Sequence, residues 1–201
     1  MIAQFTRSHI EHDVKVEQIQ IDAVTSRLLP MAVVFFVLTE GIMDLTFKTE
    51  NGYFNYRACA IIINDNKILA MKNDLTPFYY LPGGRVILHE SAEKAVLREV
   101  KEELGIDAKI SRPLWFAQQF FIDDTSGDKF HELCIYFLVD VSGTDLLERG
   151  NKFDGIVTKH HERFEWIDFD SLKNEYLYPL FIKDKIYNLP KNFEILTEYE
   201  Y

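Results

Sequence analysis

Cysteine is scarce in this sequence. Only Cys59 and Cys134 occur in 201 residues, each inside an apolar, strand-like run. Two such residues read as buried thiols in a reducing compartment and exclude a disulfide framework. Spacings of the CxxC or Cys/His metal type are missing as well. Positive charge is in deficit, with 22 Lys and Arg against 32 Asp and Glu and a net charge of −10. That argues against stable binding to nucleic acid through broad phosphate-backbone electrostatics. A small nucleotide remains compatible, because a bound cation supplies positive charge locally. Long apolar runs are also lacking. The longest, Leu28 to Leu38, is interrupted by Pro30 and is too short to span a bilayer. It follows 27 residues that hold several acids, and no small-residue cleavage site is evident. The expectation is a cytoplasmic protein without a membrane partner. There is no internal repeat and no low-complexity tract.

The length suits one domain with a proper core. A hydrophobic fraction of 47% and a charged fraction of 27% are those of an ordinary globular chain. Residues 1–42 carry no readable motif beyond the β-prone run Met31 to Leu38, and they are set apart as an N-terminal extension from a domain over 43–201. Met43 is an alternative natural start. From Asn55 the pattern clears: Tyr56 to Ile63 and Lys67 to Met71 read as strands joined by the turn Asn64-Asp65-Asn66. Ala108 to Ile110 reads as a short strand. Trp115 to Ile122 and His131 to Val141 read as longer strands of a hairpin closed by Asp123 to Asp128. Leu146 to His161 is expected to be a mobile loop, Phe164 to Ile167 a strand, and Asp170 to Glu175 and Pro179 to Tyr187 helical; Asn192 to Tyr201 is left unassigned. Strands flanking a central helix indicate an α/β fold of layered type.

That central helix carries the chemistry. Ser91 is its N-cap, Glu93 lies in the first turn where the dipole favours an anion, and Gly105 is its stop. Glu99, Glu102 and Glu103 fall within roughly 100° of one another on its surface. Ala92 and Ala95 share that stripe and are expected to leave it sterically open. Val96, Leu97, Val100 and Leu104 form an apolar wall, and Lys94, Arg98 and Lys101 a third face. Three carboxylates on one stripe repel each other, and a hard divalent cation such as Mg²⁺ or Mn²⁺ removes that cost. A solvated acidic face is the plain alternative. Just before the helix, Pro82-Gly83-Gly84 allows a tight turn and close backbone approach to a ligand.

The full spacing is Gly84, five residues, Glu90, seven residues, then Arg98-Glu99-Val100-Lys101-Glu102-Glu103-Leu104-Gly105-Ile106. It resembles the signature of the Nudix hydrolases, G-x5-E-x7-R-E-U-x-E-E-x-G-U, at every specified position. Seven fixed positions at residue frequencies of roughly 6% give chance odds of order 10⁻⁹ per starting point. The resemblance covers about Met43 to Leu189; the stretch FEWIDFDSL adds a weaker match. It implies an α/β/α sandwich around a mixed β-sheet, and hydrolysis of a nucleoside diphosphate linked to another moiety with Mg²⁺ (Mn²⁺ able to substitute). By the same resemblance Glu99, Glu102, Glu103 and the Gly83 carbonyl are metal ligands. Glu90 and Arg98 are a charge pair that orients loop and helix.

The general base varies across the family, and two candidates stand: Glu103, and Glu132 in the strand run FHELCIYFLVDV, which is otherwise an exposed strand residue. His131 and the pair His160-His161 read as surface histidines. Arg85 follows the glycines, either reaching a substrate phosphate or solvated. Tyr80, with Tyr79, Trp115, Phe116 and Phe120, either stacks a base or fills core. Pro113 lies seven residues after Ile106, nearer than the proline of the ADP-ribose-cleaving subgroup, and the arrays of the coenzyme A- and NADH-cleaving subgroups are missing. Oxidised nucleoside triphosphates, nucleotide sugars and dinucleoside polyphosphates all remain as substrates of a small-molecule enzyme, as monomer or homodimer. The alternatives are a nucleotide-sensing domain that binds without cleaving and an interaction module with a vestigial metal site.

Overall fold

The apolar run from Tyr56 to Ile63 does not form one strand. In the computed structural model, which describes residues 43–156 and 161–200, it divides at Ile62 between two sheets. The extension 1–42 and His160 lie outside the described residues. The elements in order are β1 (Thr46–Thr49), β2 (Gly52–Ile61), β3 (Ile63–Asn64), β4 (Lys67–Lys72), β5 (Gly83–Arg85) and α1 (Ala92–Leu104). There follow β6 (Lys109–Ile122), β7 (Lys129–Asp140), β8 (Lys152–Asp154), β9 (Arg163–Asp168), α2 (Ile182–Lys185) and β10 (Glu194–Glu200). A six-stranded mixed sheet runs β1-β2-β7-β6-β10, with β5 also paired to β2; a four-stranded antiparallel sheet runs β3-β4-β9-β8. The expected mixed sheet between helical layers is present, and the second sheet is added to it.

Local sequence accounts for most of these elements. Asp65 and Asn66 take φ of 47° and 58°, the left-handed pair of a two-residue hairpin, and close β3 onto β4. The hairpin of β6 and β7 is in register from Ile122–Lys129 inward, in line with the sequence pattern. Its first strand is longer than expected, because Lys109–Ile122 is one element that joins the two strands expected at Ala108 to Ile110 and Trp115 to Ile122. Two register shifts, between Ile110 and Arg112 and between Pro113 and Trp115, accommodate Pro113, which has no N–H for the ladder.

Three sequence expectations need correction. The supposed loop from Leu146 contains a 3₁₀ turn, Leu146–Arg149, and strand β8; Leu146 is fully buried and anchors it. The unassigned tail becomes β10, parallel to β6. Its alternate residues Ile195 and Tyr199 stay 69% and 64% exposed, so no apolar periodicity marked it. The helix expected over Pro179 to Tyr187 is one turn, Ile182–Lys185, and a 3₁₀ turn, Phe169–Asn174, stands where Asp170 to Glu175 was expected to be helical.

Packing places the site. Helix α1 buries Ala95, Val96, Val100 and Leu104 against Ala58 and Ala60 of β2, Phe137 of β7 and Phe164 of β9, and so ties the two sheets together. On the opposite face, Trp115, Tyr136 and Phe181 pack edge to face around Ile182 and Ile186. Ala92 and Ala95 do not open the acidic stripe; both are buried in the core beneath it. Small side chains there let the helix lie close on the sheet. Cys59 and Cys134 are free, buried thiols.

Candidate active site

The glycine turn brings the helix carboxylates together. Gly83, at φ 138°, lies so close to β2 that a Cβ would sit 2.3 Å from the Ala58 carbonyl oxygen. Its N–H donates to Glu103 Oε2 at 3.1 Å. Gly84 is in contact with the other carboxylate: a Cβ there would meet Glu99 Cδ and Oε1 at 2.3 Å. Helix α1 enters this turn with the caps read from sequence. Ser91 Oγ accepts from Lys94 N at 3.3 Å, and Gly105 ends the helix at φ 68°.

Burial sets the charge state here. Glu103 is 9% exposed, and burial, reinforced by Glu99 and Glu162, raises its proton affinity well above the ordinary carboxylate value. Burial also raises Glu99, against the opposing pull of Arg98. Among the described residues Glu103 has no ion-pair partner of its own and Glu99 shares Arg98 with Glu90 and Glu102, so the pair is short of positive charge, which a divalent cation supplies. Glu102, 60% exposed at its side chain, is turned onto Arg98. As the side chains stand, no three Glu, Asp, His or Cys among the described residues converge on a point where an ion would sit. The donor chemistry of Glu99, Glu103 and the Gly83 carbonyl nevertheless fits a hard cation. That carbonyl accepts from Arg57 Nη2 at 3.1 Å, which uses one of its two acceptor sites.

Arg98 is the hub of the loop. Its Nε and Nη2 donate to Glu90 Oε1 and Oε2 at 2.9 and 3.0 Å, a two-pronged pair. Nη1 reaches Glu99 at 2.7 Å and Glu102 at 3.3 Å, and Nη2 also reaches the Arg85 carbonyl at 3.1 Å. Glu90 in turn accepts from Ile87 N at 3.1 Å. The Arg98 guanidinium therefore holds the Glu90 carboxyl below its ordinary value, and loop and helix are bound as one unit.

A cavity of about 660 Å³ opens beside the turn. Gly84, Arg85 and Glu99 lie on one wall, with Arg57 and Glu132 among its other lining residues. Glu132 is only 8% exposed, contrary to the surface position considered for it, and its Oε2 accepts from Asn55 Nδ2 at 3.2 Å. Arg85 lines the cavity half-exposed and pairs with Asp44 at 3.6 Å. Of the aromatic candidates, Tyr80 lines it and accepts from Asn73 Nδ2 at 2.9 Å. Tyr79 donates to Glu165 at 2.7 Å, and Trp115 is core. Phe120 stacks on Tyr199 at 5.0 Å, and neither it nor Phe116 lines the cavity. His131 packs against Phe54 and Phe120, and His161 is exposed.

Arg57 was missed in the sequence. Burial opposes its charge, but Glu132 and neighbouring groups raise its proton affinity above the ordinary value, and its buried Nε has no partner. Only strand alternation, which puts residues 55, 57 and 59 on one face, could have marked it.

Comparison with known proteins gives the family and the fold. The family model of the NUDIX domain matches residues 54–186. An ADP-ribose pyrophosphatase of Methanocaldococcus jannaschii is 38% identical over 89 residues, 43% of this chain and 50% of that protein; the chain thus spans about half the length of that curated relative. The crystal structure of the MutT protein from Bacillus halodurans superposes with a TM-score of 0.50 at 16% identity, over 73% of this chain and 90% of that one, a likeness of fold. Among the described residues, no helix is long and apolar enough to cross a membrane.

Proposed function

As the chain belongs to the NUDIX family, we propose that it is a Mg²⁺-dependent pyrophosphohydrolase cleaving a nucleoside diphosphate linked to another moiety. The observation that carries this reading is the convergence of half-buried Glu99 and buried Glu103 on the Gly83–Gly84 turn, at the wall of a cavity large enough for a nucleotide. Glu99, Glu102, Glu103 and the Gly83 carbonyl would hold the cation. When bound, it would neutralise diphosphate charge and lower the pKa of an attacking water. Glu103, held at the turn by the Gly83 N–H, is the carboxylate proposed to accept the proton of that water. Glu90 and Arg98 fix the loop against the helix, so that the carboxylates stay placed without rearrangement. Arg85, half-exposed at the cavity wall, and Arg57, beneath it, are the cationic groups available to substrate phosphates. Tyr80 offers an aromatic surface on the same wall.

The candidate substrates are oxidised nucleoside triphosphates, nucleotide sugars and dinucleoside polyphosphates. The test is a panel of these compounds with Mg²⁺ or Mn²⁺ and with EDTA, reading phosphate and nucleoside monophosphate release. Metal-dependent turnover is expected. Glu102→Gln should reduce it by about 10²-fold or more with an unchanged melting temperature, because that side chain is exposed and its Arg98 contact weak. No turnover on any compound, or a fully active Glu102→Gln protein, refutes the assignment.

A further inference from the structure

Among the described residues, three of the four buried polar side chains form one row across the mixed sheet. Asn55 of β2 pairs with Glu132 of β7, and Glu132 pairs with Gln119 of β6. Residues paired in register project from the same face, and here that face is the cavity floor. The hydrogen bonds behind the row fix what it presents. Thr46 Oγ1 donates to Asn55 Oδ1 at 2.6 Å, and Asn55 Nδ2 donates to Glu132 Oε2 at 3.2 Å. Tyr136 Oη donates to Gln119 Oε1 at 2.8 Å. Glu132 Oε1 takes part in none of these bonds and stands in the row beside the N–H donors of Gln119 and the second N–H of Asn55.

The neighbouring rows give the order of the floor. Two residues along, about 6.6 Å away, Arg57 stands on the side of the glycine turn, with Nη2 on the Gly83 carbonyl. Two residues the other way, Phe130 stacks in near-parallel planes on Phe121 at 5.0 Å and on Tyr53 at 5.1 Å. The floor thus runs from a cation near the catalytic turn, through a polar row, to an aromatic ledge. A carboxylate next to an amide donor complements a ring that carries an N–H beside an acceptor, and the ledge suits a planar ring. A buried carboxylate without a cation in hydrogen-bond contact gains most from such a donor.

We propose that Glu132 and Gln119 are specificity-determining residues that recognise the nucleobase, Glu132 accepting from a ring N–H or exocyclic amine and Gln119 donating to a ring acceptor. This rests on the hydrolase reading for its substrate, yet base recognition can be measured without turnover. Calorimetry on the full chain would compare GMP, IMP, AMP, CMP and UMP with ribose 5-phosphate, which has no base. At least one monophosphate should bind tenfold or more tightly than ribose 5-phosphate. Glu132→Gln and Gln119→Leu should each remove most of that preference and leave ribose 5-phosphate binding within about twofold. On the preferred substrate both variants should raise KM tenfold or more with kcat within about threefold. Monophosphates binding no better than ribose 5-phosphate would overturn the proposal. So would a preference that survives both substitutions, or a loss confined to kcat, which would place Glu132 in the chemistry. Should Glu132→Gln not fold, Gln119→Leu and Asn55→Asp probe the same polar row in its place, with the same loss of preference expected and its survival refuting the proposal. A base preference without hydrolysis of any compound would support this inference and refute the hydrolase reading.

Discussion

Replacing either glycine of the turn by alanine adds the same methyl group, yet the two changes should fail in different ways. At position 84 the new Cβ would lie 2.3 Å from Glu99 Cδ and Oε1. Ordinary contact needs about 3.4 Å, so the carboxylate must retreat by about 1 Å. Glu99 is the end of a flexible side chain and can move, at the expense of its 2.7 Å bond to Arg98, about 1 kcal/mol. The melting temperature should fall by only about 2–4 °C for a domain of this size. A displacement of 1 Å in a group that positions the reaction, however, costs about 10²-fold in rate. At position 83 the obstacle is backbone. The Cβ would meet Ala58 O at 2.3 Å and Cys59 Cα at 2.7 Å, and φ of 138° is itself unfavourable for alanine. Overpacking and backbone strain together should cost about 3 kcal/mol or more, a fall of about 6–12 °C. Thermal melts and metal-dependent turnover on the two purified variants check both halves. A Gly84→Ala protein within threefold of the parent rate would show that the Glu99 position is immaterial to turnover. A Gly83→Ala protein melting like the parent would refute the close approach of β5 to β2.

Two further outcomes follow from the loop and from the start of the domain. Glu90→Gln should lower stability at pH 7 by about 1–2 kcal/mol through loss of the charged pair with Arg98. Because the folded-state pKa of Glu90 is depressed, this contribution is present above its ordinary value of 4.5 and lost as pH falls below it. Denaturant titrations at pH 7 and pH 3 should show the gap between parent and variant closing in acid; a gap that persists there contradicts the electrostatic origin. A chain beginning at Met43 should fold and keep its turnover. Leu88 N still donates to the Met43 carbonyl at 2.9 Å, and every residue of the turn and helix lies beyond it. An insoluble or inactive product would show that residues 1–42 belong to the core.

The sequence by itself determined the parts whose physics is local. The helix from Ser91 to Gly105, its caps, the Asn64–Asn66 turn and the β6–β7 hairpin depend on short-range dihedral and hydrogen-bond preferences, so a single stretch of chain specifies them. The Glu90 and Arg98 pairing was legible because the signature spacing matches a known family, although eight residues separate the two. Only the tertiary structure decided the rest. Strand β10 has exposed alternate residues and exists because β6 offers a free edge, which no pattern within 194–200 reveals. Ala92 and Ala95 read as an open stripe on an isolated helix, but two sheets cover that side. Arg57, Asn55, Gln119 and Glu132 come from three strands up to 77 residues apart in the chain; Glu132 alone was marked in the sequence, as a candidate base, and the other three are ordinary polar residues in strands. Their common face is set by the pairing register of β2, β7 and β6, and register is a property of strands that have already met.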